Sequence, residues 1–167
     1  LNSKLTFFFL ILSVSWLSLE ARTGEIEEIV VKGTWRQAEL KDSDGSVVIL
    51  DQELLKSQPI KHFEQLSFLI PNLNFAGSDS RPRYFQIRGI GERSGYEGTP
   101  NSSVGFIIDD IDFSGQGGIA TGFDLEQIEV YRGPQGSRMG ANALAGLIYI
   151  KSKDPTDVFE GNSEVNF

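Results

Sequence analysis

Two arginines occupy the same local setting in the sequence. Each ends a predicted strand and precedes a glycine, in the triplets Ile-Arg-Gly at Arg88 and Tyr-Arg-Gly at Arg132. The planar guanidinium of arginine forms paired hydrogen bonds with a carboxylate, and in a confined, poorly hydrated space such a pair is both specific and breakable. A solvated charge at a strand end is the commoner role of an arginine. The local pattern by itself therefore favours solvated surface charge for Arg88 and Arg132, with carboxylate pairing as the less common alternative.

Several patterns resemble parts of enzyme sites, but none of them is complete. Residues 89–94 begin like a dinucleotide-binding fingerprint, yet the third glycine is missing and no helix is predicted after them. Residues 133–138 lack the Gly-Lys-Ser/Thr of a phosphate-binding loop. Asp109, Asp110 and Asp112 offer hard oxygen ligands, but no glycine turn and closing glutamate complete a cation-binding loop.

Metal-binding and nucleophilic side chains are scarce. The 167 residues include one histidine, His62, and no cysteine. A single histidine supports neither a histidine-based metal site nor a catalytic triad, and a chain without cysteine has no thiolate site and no disulfide. We therefore expect no catalytic residues, no bound metal, no cofactor and no enzymatic activity.

The composition describes an acidic chain with enough apolar residues for a modest core. Hydrophobic residues make up 40% of the sequence, and 18 glycines indicate many turns. The formal charge is −8 and the pI is about 4.7. A nucleic-acid partner would require clustered lysine and arginine, so the balance of charge argues against one.

The first residues have the pattern of an export signal. Lys4 precedes an apolar run over residues 5–19, which is too short and too rich in serine for a membrane span. We interpret residues 1–21 as a signal peptide cleaved after Ala21, with an N-terminal membrane anchor as the alternative. Residues 22–45 are polar apart from Ile26 and residues 29–31, and they are predicted to form a flexible leader.

The pattern from residue 46 to residue 155 is that of a globular domain. Strands and short helices mix without a regular β-α-β repeat, which predicts an α+β fold with a small mixed β-sheet and long loops. After Pro155, residues 163–167 alternate polar and apolar side chains, so residues 156–167 are interpreted as the truncated start of a barrel strand. The predicted strands are Val47–Leu50, 84–88, Val104–Ile108, 128–131 and 147–151, and the predicted helical segments are Gln52–Ser57 after the N-cap Asp51, 62–69 and a turn near 124–127.

Four motifs follow one another in the order found in a known family. Residues 124–153 contain I-E-V-Y-R-G-P-Q-G and then G-A-N-A-L-A-G-L-I-Y-I. Before them stand E-I-E-E-I-V-V-K-G at residues 25–33, F-Q-I-R-G-I-G at residues 85–91 and V-G-F-I-I-D-D-I at residues 104–111. Together they resemble the plug domain of TonB-dependent outer-membrane receptors, in an N-terminal part that lacks the barrel. Met139, Ala145 and Asp110 depart from the usual pattern of that family.

The resemblance implies roles for particular residues. Residues 25–31 resemble a TonB box, which would add a strand to the periplasmic domain of TonB through Glu25, Ile26, Glu27, Glu28, Ile29, Val30 and Val31. The alternative is that this run forms an ordinary first strand of the domain. Arg88 and Arg132 correspond to arginines that face glutamates of the barrel wall and form a plug–barrel lock. The loops at residues 76–83, 91–103 and 114–122 are candidates for the ligand-facing surface, with mobile surface as the alternative. The candidate ligand-facing residues are Arg81, Arg83, Arg93, Tyr96, Asn101, Gln116 and Phe123.

The function implied by the resemblance is gated, energy-coupled uptake of a scarce nutrient at the cell outer membrane. A ferric siderophore is the default ligand, and the expected partners are TonB, an outer-membrane β-barrel that is the chain's own or a cognate one, and the small-molecule nutrient. The TonB box begins a few residues after the expected cleavage site, which predicts direct uptake without an N-terminal signalling domain. The alternative function is that of a free-standing soluble periplasmic binding or interaction module with the same fold.

Overall fold

The structure, a computed structural model, describes residues 29–33, 38–40, 45–57, 61–77, 83–94, 101–116, 120–159 and 161. In these ranges no helix is both long and apolar enough to cross a membrane. The strands are β1 (Val30–Val31), β2 (Ala38–Glu39), β3 (Val47–Leu50), β4 (Leu73–Ala76), β5 (Tyr84–Ile87), β6 (Val104–Ile108), β7 (Ile111–Asp112), β8 (Leu125–Tyr131) and β9 (Gly146–Ser152). The helices are α1 (Gln52–Ser57), α2 (Phe63–Ser67) and α3 (Gly136–Met139).

A five-stranded mixed sheet forms the centre of the domain, with the strand order β3-β8-β9-β6-β7. Strand β8 is antiparallel to both β3 and β9, whereas β6 runs parallel to β9. Two further pairs, β1-β2 and β4-β5, are antiparallel. The predicted α+β class with a small mixed sheet is therefore confirmed.

One face of the central sheet packs on the larger core. Phe63 of α2 meets Phe85 of β5 and Phe106 of β6 edge-to-face, with ring centroids 5.1 Å and 5.3 Å away. Phe85 and Phe106 stack with their centroids 5.5 Å apart. Aromatic rings remove large apolar areas from water, so this cluster fixes α2 and the β4-β5 hairpin on the sheet.

The opposite face of the sheet is covered by the described part of the leader. Val31 is 0% exposed and packs with Ile107, Tyr131, Leu147 and Tyr149. The composition of residues 22–45 predicts a flexible leader, whereas Val31 and Gly33 are buried and Val30–Val31 pairs with Ala38–Glu39. The difference arises because burial of Val31 depends on strands about 100 residues later in the chain, which local composition does not reveal. The boundaries of the leader and of the globular domain stay predictions.

Several local predictions can be compared directly with the structure. Asp51 caps α1 as predicted, since its Oδ1 accepts the Leu54 N–H at 2.9 Å. The helical turn predicted near residues 124–127 is wrong, because Leu125 already begins β8 and pairs with Ser152 of β9. The sequence does not predict the strands β2, β4 and β7 or the helix α3, and β1 corresponds to the alternative interpretation of residues 25–31 as a first strand of the domain. The predicted signal peptide and the alternating stretch at residues 163–167 lie outside the described residues.

Candidate functional site

Arg88 stands at the tip of a tight turn. The N–H groups of Ile87 and Ile90 each donate to the other residue's carbonyl oxygen, at 2.9 Å and 3.0 Å. Both central residues have positive φ, 55° at Arg88 and 81° at Gly89, which is the combination of a type I′ turn. The side chain of Arg88 is exposed, so the turn projects a guanidinium away from the domain.

Arg132 follows β8 and is held more closely. Its backbone N–H donates to the carbonyl oxygen of Ser46 at 2.8 Å, and its side chain is half-buried. The guanidinium Nε is buried and has no hydrogen-bond partner among the described residues. A buried charged donor without a partner is costly, so the site favours an acceptor supplied from elsewhere.

Gly146 of β9 joins the two arginine-bearing strand ends. A Cβ on Gly146 would lie 2.2 Å from the carbonyl oxygen of Tyr131 and 2.7 Å from Cδ1 of Ile87. Tyr131 and Ile87 are the residues directly before Arg132 and Arg88. The structure thus brings the ends of β8 and β5 together at a position where only glycine fits. Within the described part of the chain, neither arginine forms an ion pair.

A buried carboxylate that the sequence pattern did not single out lies on the face of the central sheet that the leader covers. Glu129 of β8 is 0% exposed, and its two oxygens accept four hydrogen bonds. Oε1 accepts from the Lys32 N–H at 2.5 Å and from Nε2 of Gln127 at 2.8 Å. Oε2 accepts from the Gly33 N–H at 2.8 Å and from the Tyr131 hydroxyl at 2.5 Å. A buried charge requires such compensation, and here backbone and side-chain donors supply it.

The same cluster fixes the leader at two further points. Nε2 of Gln127 donates to the carbonyl oxygen of Val30 at 2.9 Å, and Nζ of Lys32 lies 2.5 Å from Oε1 of Glu126. A Cβ on Gly33 would lie 2.7 Å from Oε2 of Glu129, so a side chain at this position would force the carboxylate to shift. The segment that resembles a TonB box therefore ends in a polar docking site.

A family model of the TonB-dependent receptor plug domain matches residues 39–147, which is more than half of the chain. The chain belongs to the TonB-dependent receptor plug domain family. This finding confirms the family assignment, and the matched residues include the motifs at 85–91 and 104–111 and most of 124–153, whereas the motif at 25–33 lies outside them.

Named relatives of this plug domain are receptors. The ferric enterobactin receptor PirA of Pseudomonas aeruginosa is 29% identical over 153 residues, covering 84% of this chain and 20% of the relative. A second ferric enterobactin receptor of that organism is 28% identical, with the same coverage of 84% and 20%. The chain thus spans 20% of the length of these curated relatives.

Solved structures with the same fold are siderophore receptors by name. The ferric yersiniabactin uptake receptor FyuA from Yersinia pestis superposes with a TM-score of 0.58 at 23% identity, covering 70% of this chain and 18% of that one. The ferripyoverdine receptor of the outer membrane of Pseudomonas aeruginosa gives a TM-score of 0.60 at 16% identity, covering 77% and 17%. At these identities the likeness establishes the plug fold.

The candidate ligand-facing residues of the plug do not gather at one edge of the sheet. Asn101 lies just before β6 and Phe123 just before β8, and these strands run in opposite directions, so the two residues lie towards opposite ends. Phe123 is 84% exposed. Arg83, Arg93 and Gln116 are also exposed, whereas Arg81 and Tyr96 lie outside the described residues. Their role in ligand binding stays a prediction.

The acidic stretch after β6 has a structural role in the plug. Asp109 accepts the N–H and the hydroxyl of Ser152 at 2.9 Å and 2.7 Å, which closes the end of β6 on β9. Nζ of Lys151 lies 2.9 Å from Asp154 and 3.8 Å from Asp109. The hydrogen bond with Asp154 is the main cause that raises the pKa of Lys151; burial opposes it, and the charges of Asp154 and Asp109 add to the increase.

One sequence signal could have revealed Glu129. Gln127, Glu129 and Tyr131 alternate with Ile128 and Val130, so the strand carries a polar stripe on one face. We predicted that strand to be part of the core, and an acidic residue in a strand covered on both faces must find donors. The sequence does not reveal the two backbone donors, Lys32 and Gly33, because they belong to the leader.

Proposed function

We propose that this chain is the plug of a gated outer-membrane receptor that takes up a ferric siderophore with energy delivered by TonB. Membership of the plug family over residues 39–147 carries the proposal. The names of the relatives, two ferric enterobactin receptors, support an iron chelate as the ligand class. In this role the chain binds, gates and transmits force, and it catalyses no reaction.

The two arginines are proposed to lock the plug in its barrel. Arg88 is exposed on its turn, and the buried Nε of Arg132 has no partner among the described residues. Carboxylates from the wall of the chain's own or a cognate β-barrel suit both groups, because paired hydrogen bonds to arginine are directional and strong in a confined space. The strand ends meet at Gly146, so a displacement of one end affects the other.

Energy coupling is proposed to act through Glu25, Ile26, Glu27, Glu28, Ile29, Val30 and Val31, which would pair edge-to-edge with a strand of periplasmic TonB. Three of these residues are described, and Ile29 is 38% exposed whereas Val31 is fully buried. Capture by TonB would therefore begin at the exposed end of the segment and draw Val31 out of the core. Force on the leader would then reach β8 through the contacts of Glu129.

The test is a binding measurement between the periplasmic domain of TonB and a peptide of residues 25–33. The Ile29→Pro peptide is the control, because proline removes a backbone donor from the pairing strand. We expect binding by the native peptide and loss of binding by the variant. Equal binding by both peptides, or by neither, would overturn the proposed energy coupling.

A further inference from the structure

The two edges of β1 are both occupied. The Leu40 N–H donates to the carbonyl oxygen of Ile29 at 3.1 Å, and Val30 and Val31 pair with Glu39 and Ala38 of β2. In a strand the backbone groups of successive residues point to opposite edges. Residues 29 and 31 therefore face β2, and the N–H and C=O groups of residues 30 and 32 face away from it.

Side chains of β8 form hydrogen bonds with the edge of β1 that β2 leaves unpaired. Nε2 of Gln127 donates to the carbonyl oxygen of Val30 at 2.9 Å, and Oε1 of Glu129 accepts the N–H of Lys32 at 2.5 Å. This donor and acceptor occupy the places that the backbone of a pairing strand would use. Oε2 of Glu129 also accepts the N–H of Gly33 at 2.8 Å.

We propose that Gln127 and Glu129 form an autoinhibitory latch. Their side chains occupy the edge of β1 that faces away from β2, and so prevent that edge from pairing with another strand until the leader leaves the sheet. This proposal rests on the proposed function, since it assigns TonB as the competitor for the same edge. The latch can open because two of the four donors to Glu129 belong to the leader. Water replaces these two donors once the segment moves out of the sheet. Val31, at 0% exposed, adds apolar burial that holds the latch closed.

The substitution Glu129→Gln tests the carboxylate with almost no change of shape. Each oxygen of Glu129 receives one backbone N–H of the leader and one side-chain donor. An amide NH2 in place of either oxygen would face a backbone N–H, and two donors repel. The leader should therefore undock in this variant, and Glu53→Gln, an identical change on the exposed side of α1, is the matched control.

Gly33→Ala is a second variant that leaves the sheet and its carboxylate untouched. The new Cβ would lie 2.7 Å from Oε2 of Glu129 and 2.7 Å from the Tyr131 hydroxyl oxygen. The matched control is Gly45→Ala, because a Cβ on Gly45 meets nothing within 4 Å. If Glu129→Gln fails to fold, the Gly33→Ala variant decides the question alone.

The first measurement is amide hydrogen exchange on the full chain. In both test variants we expect the amides of residues 32 and 33 to exchange about 10- to 100-fold faster, the effect of losing a hydrogen bond to a charged group. Protection of β9, Gly146–Ser152, should be unchanged. Native protection at residues 32 and 33 in a folded variant would overturn the latch.

The second measurement is the affinity of the same chains for the periplasmic domain of TonB. If the latch withholds the edge, undocked variants bind at least about tenfold more tightly, because a larger fraction of the chain is competent. Faster exchange with no TonB binding in any chain would leave the latch standing and overturn the proposed function. Equal TonB affinity of native chain and variants would overturn the latch and leave the function standing.

Discussion

The N–H of Gly33 donates to Oε2 of Glu129 over 2.8 Å, although 96 residues separate the two in the sequence. A Cβ at this point would lie 2.7 Å from the carboxylate oxygen, so any other residue would force the carboxylate to shift. The contact links the end of the segment that resembles a TonB box to the strand that leads into Arg132. In the proposed mechanism a pull on the leader acts through this contact on β8, which leads into the proposed lock residue Arg132.

In the complete receptor, Ile29→Pro should abolish transport while ligand binding stays at the native level. Within the described structure Ile29 uses only its carbonyl oxygen, as acceptor for Leu40, so proline removes no hydrogen bond of the docked leader. It does fix φ within the segment proposed to pair with TonB, and a proline is poorly tolerated inside a pairing strand. Uptake of a radiolabelled ferric siderophore by cells and its binding to isolated membranes measure the two effects. Native uptake by the variant would contradict the assignment of the TonB box.

Arg88→Ala should change the free energy of unfolding of this chain by less than about 0.5 kcal/mol, the usual range for a surface substitution. The side chain of Arg88 is exposed and forms no ion pair with a described residue. In the complete receptor the same change should lower the force at which the plug yields, since a proposed barrel contact is lost. Urea unfolding and single-molecule pulling on the leader measure the two quantities. An unchanged yield force would remove Arg88 from the lock.

Gly146→Ala should destabilise the domain by about 3 kcal/mol, at the upper end of the usual cost of overpacking. The new methyl group would lie 2.2 Å from the backbone oxygen of Tyr131, which cannot move without disturbing the pairing of β8 with β9. Gly133→Ala is the matched control, because a Cβ there meets nothing within 4 Å. Urea denaturation of the two variants gives the comparison, and similar midpoints would contradict the close approach.

The ion pair between Lys151 and Asp154 should be visible in a titration. Its hydrogen bond and the charge of Lys151 lower the pKa of Asp154. The stabilisation by Asp154 is thus fully present above the ordinary carboxyl pKa and is lost as the pH falls through the lowered value. For Lys151, whose pKa is raised, the contribution is lost as the pH rises through the raised value. NMR titration of the Asp154 carboxyl should show a normal pKa in Lys151→Met, and an unchanged low value would exclude the pair as its cause.

The local sequence predicted the parts of the fold that depend on neighbouring residues. Val47–Leu50, Gln52–Ser57 and Val104–Ile108 occur where apolar periodicity and the Asp51 cap placed them. The Ile-Arg-Gly and Tyr-Arg-Gly triplets correctly marked two strand ends. The helical turn near residues 124–127 failed because pairing with β9 outweighs the weak helical preference of a few residues.

By itself the sequence determined the family, through four ordered motifs, and the class of the fold, through the mixture of short strands and helices. Only the tertiary structure decided which contacts those segments form with one another. It placed Val31 in the core, closed the free edge of β1 with Gln127 and Glu129, and brought Ile87 and Tyr131 together at Gly146. The physical reason is that propensity and capping act over a few residues, whereas burial and compensation of a buried charge depend on groups that only folding brings into contact.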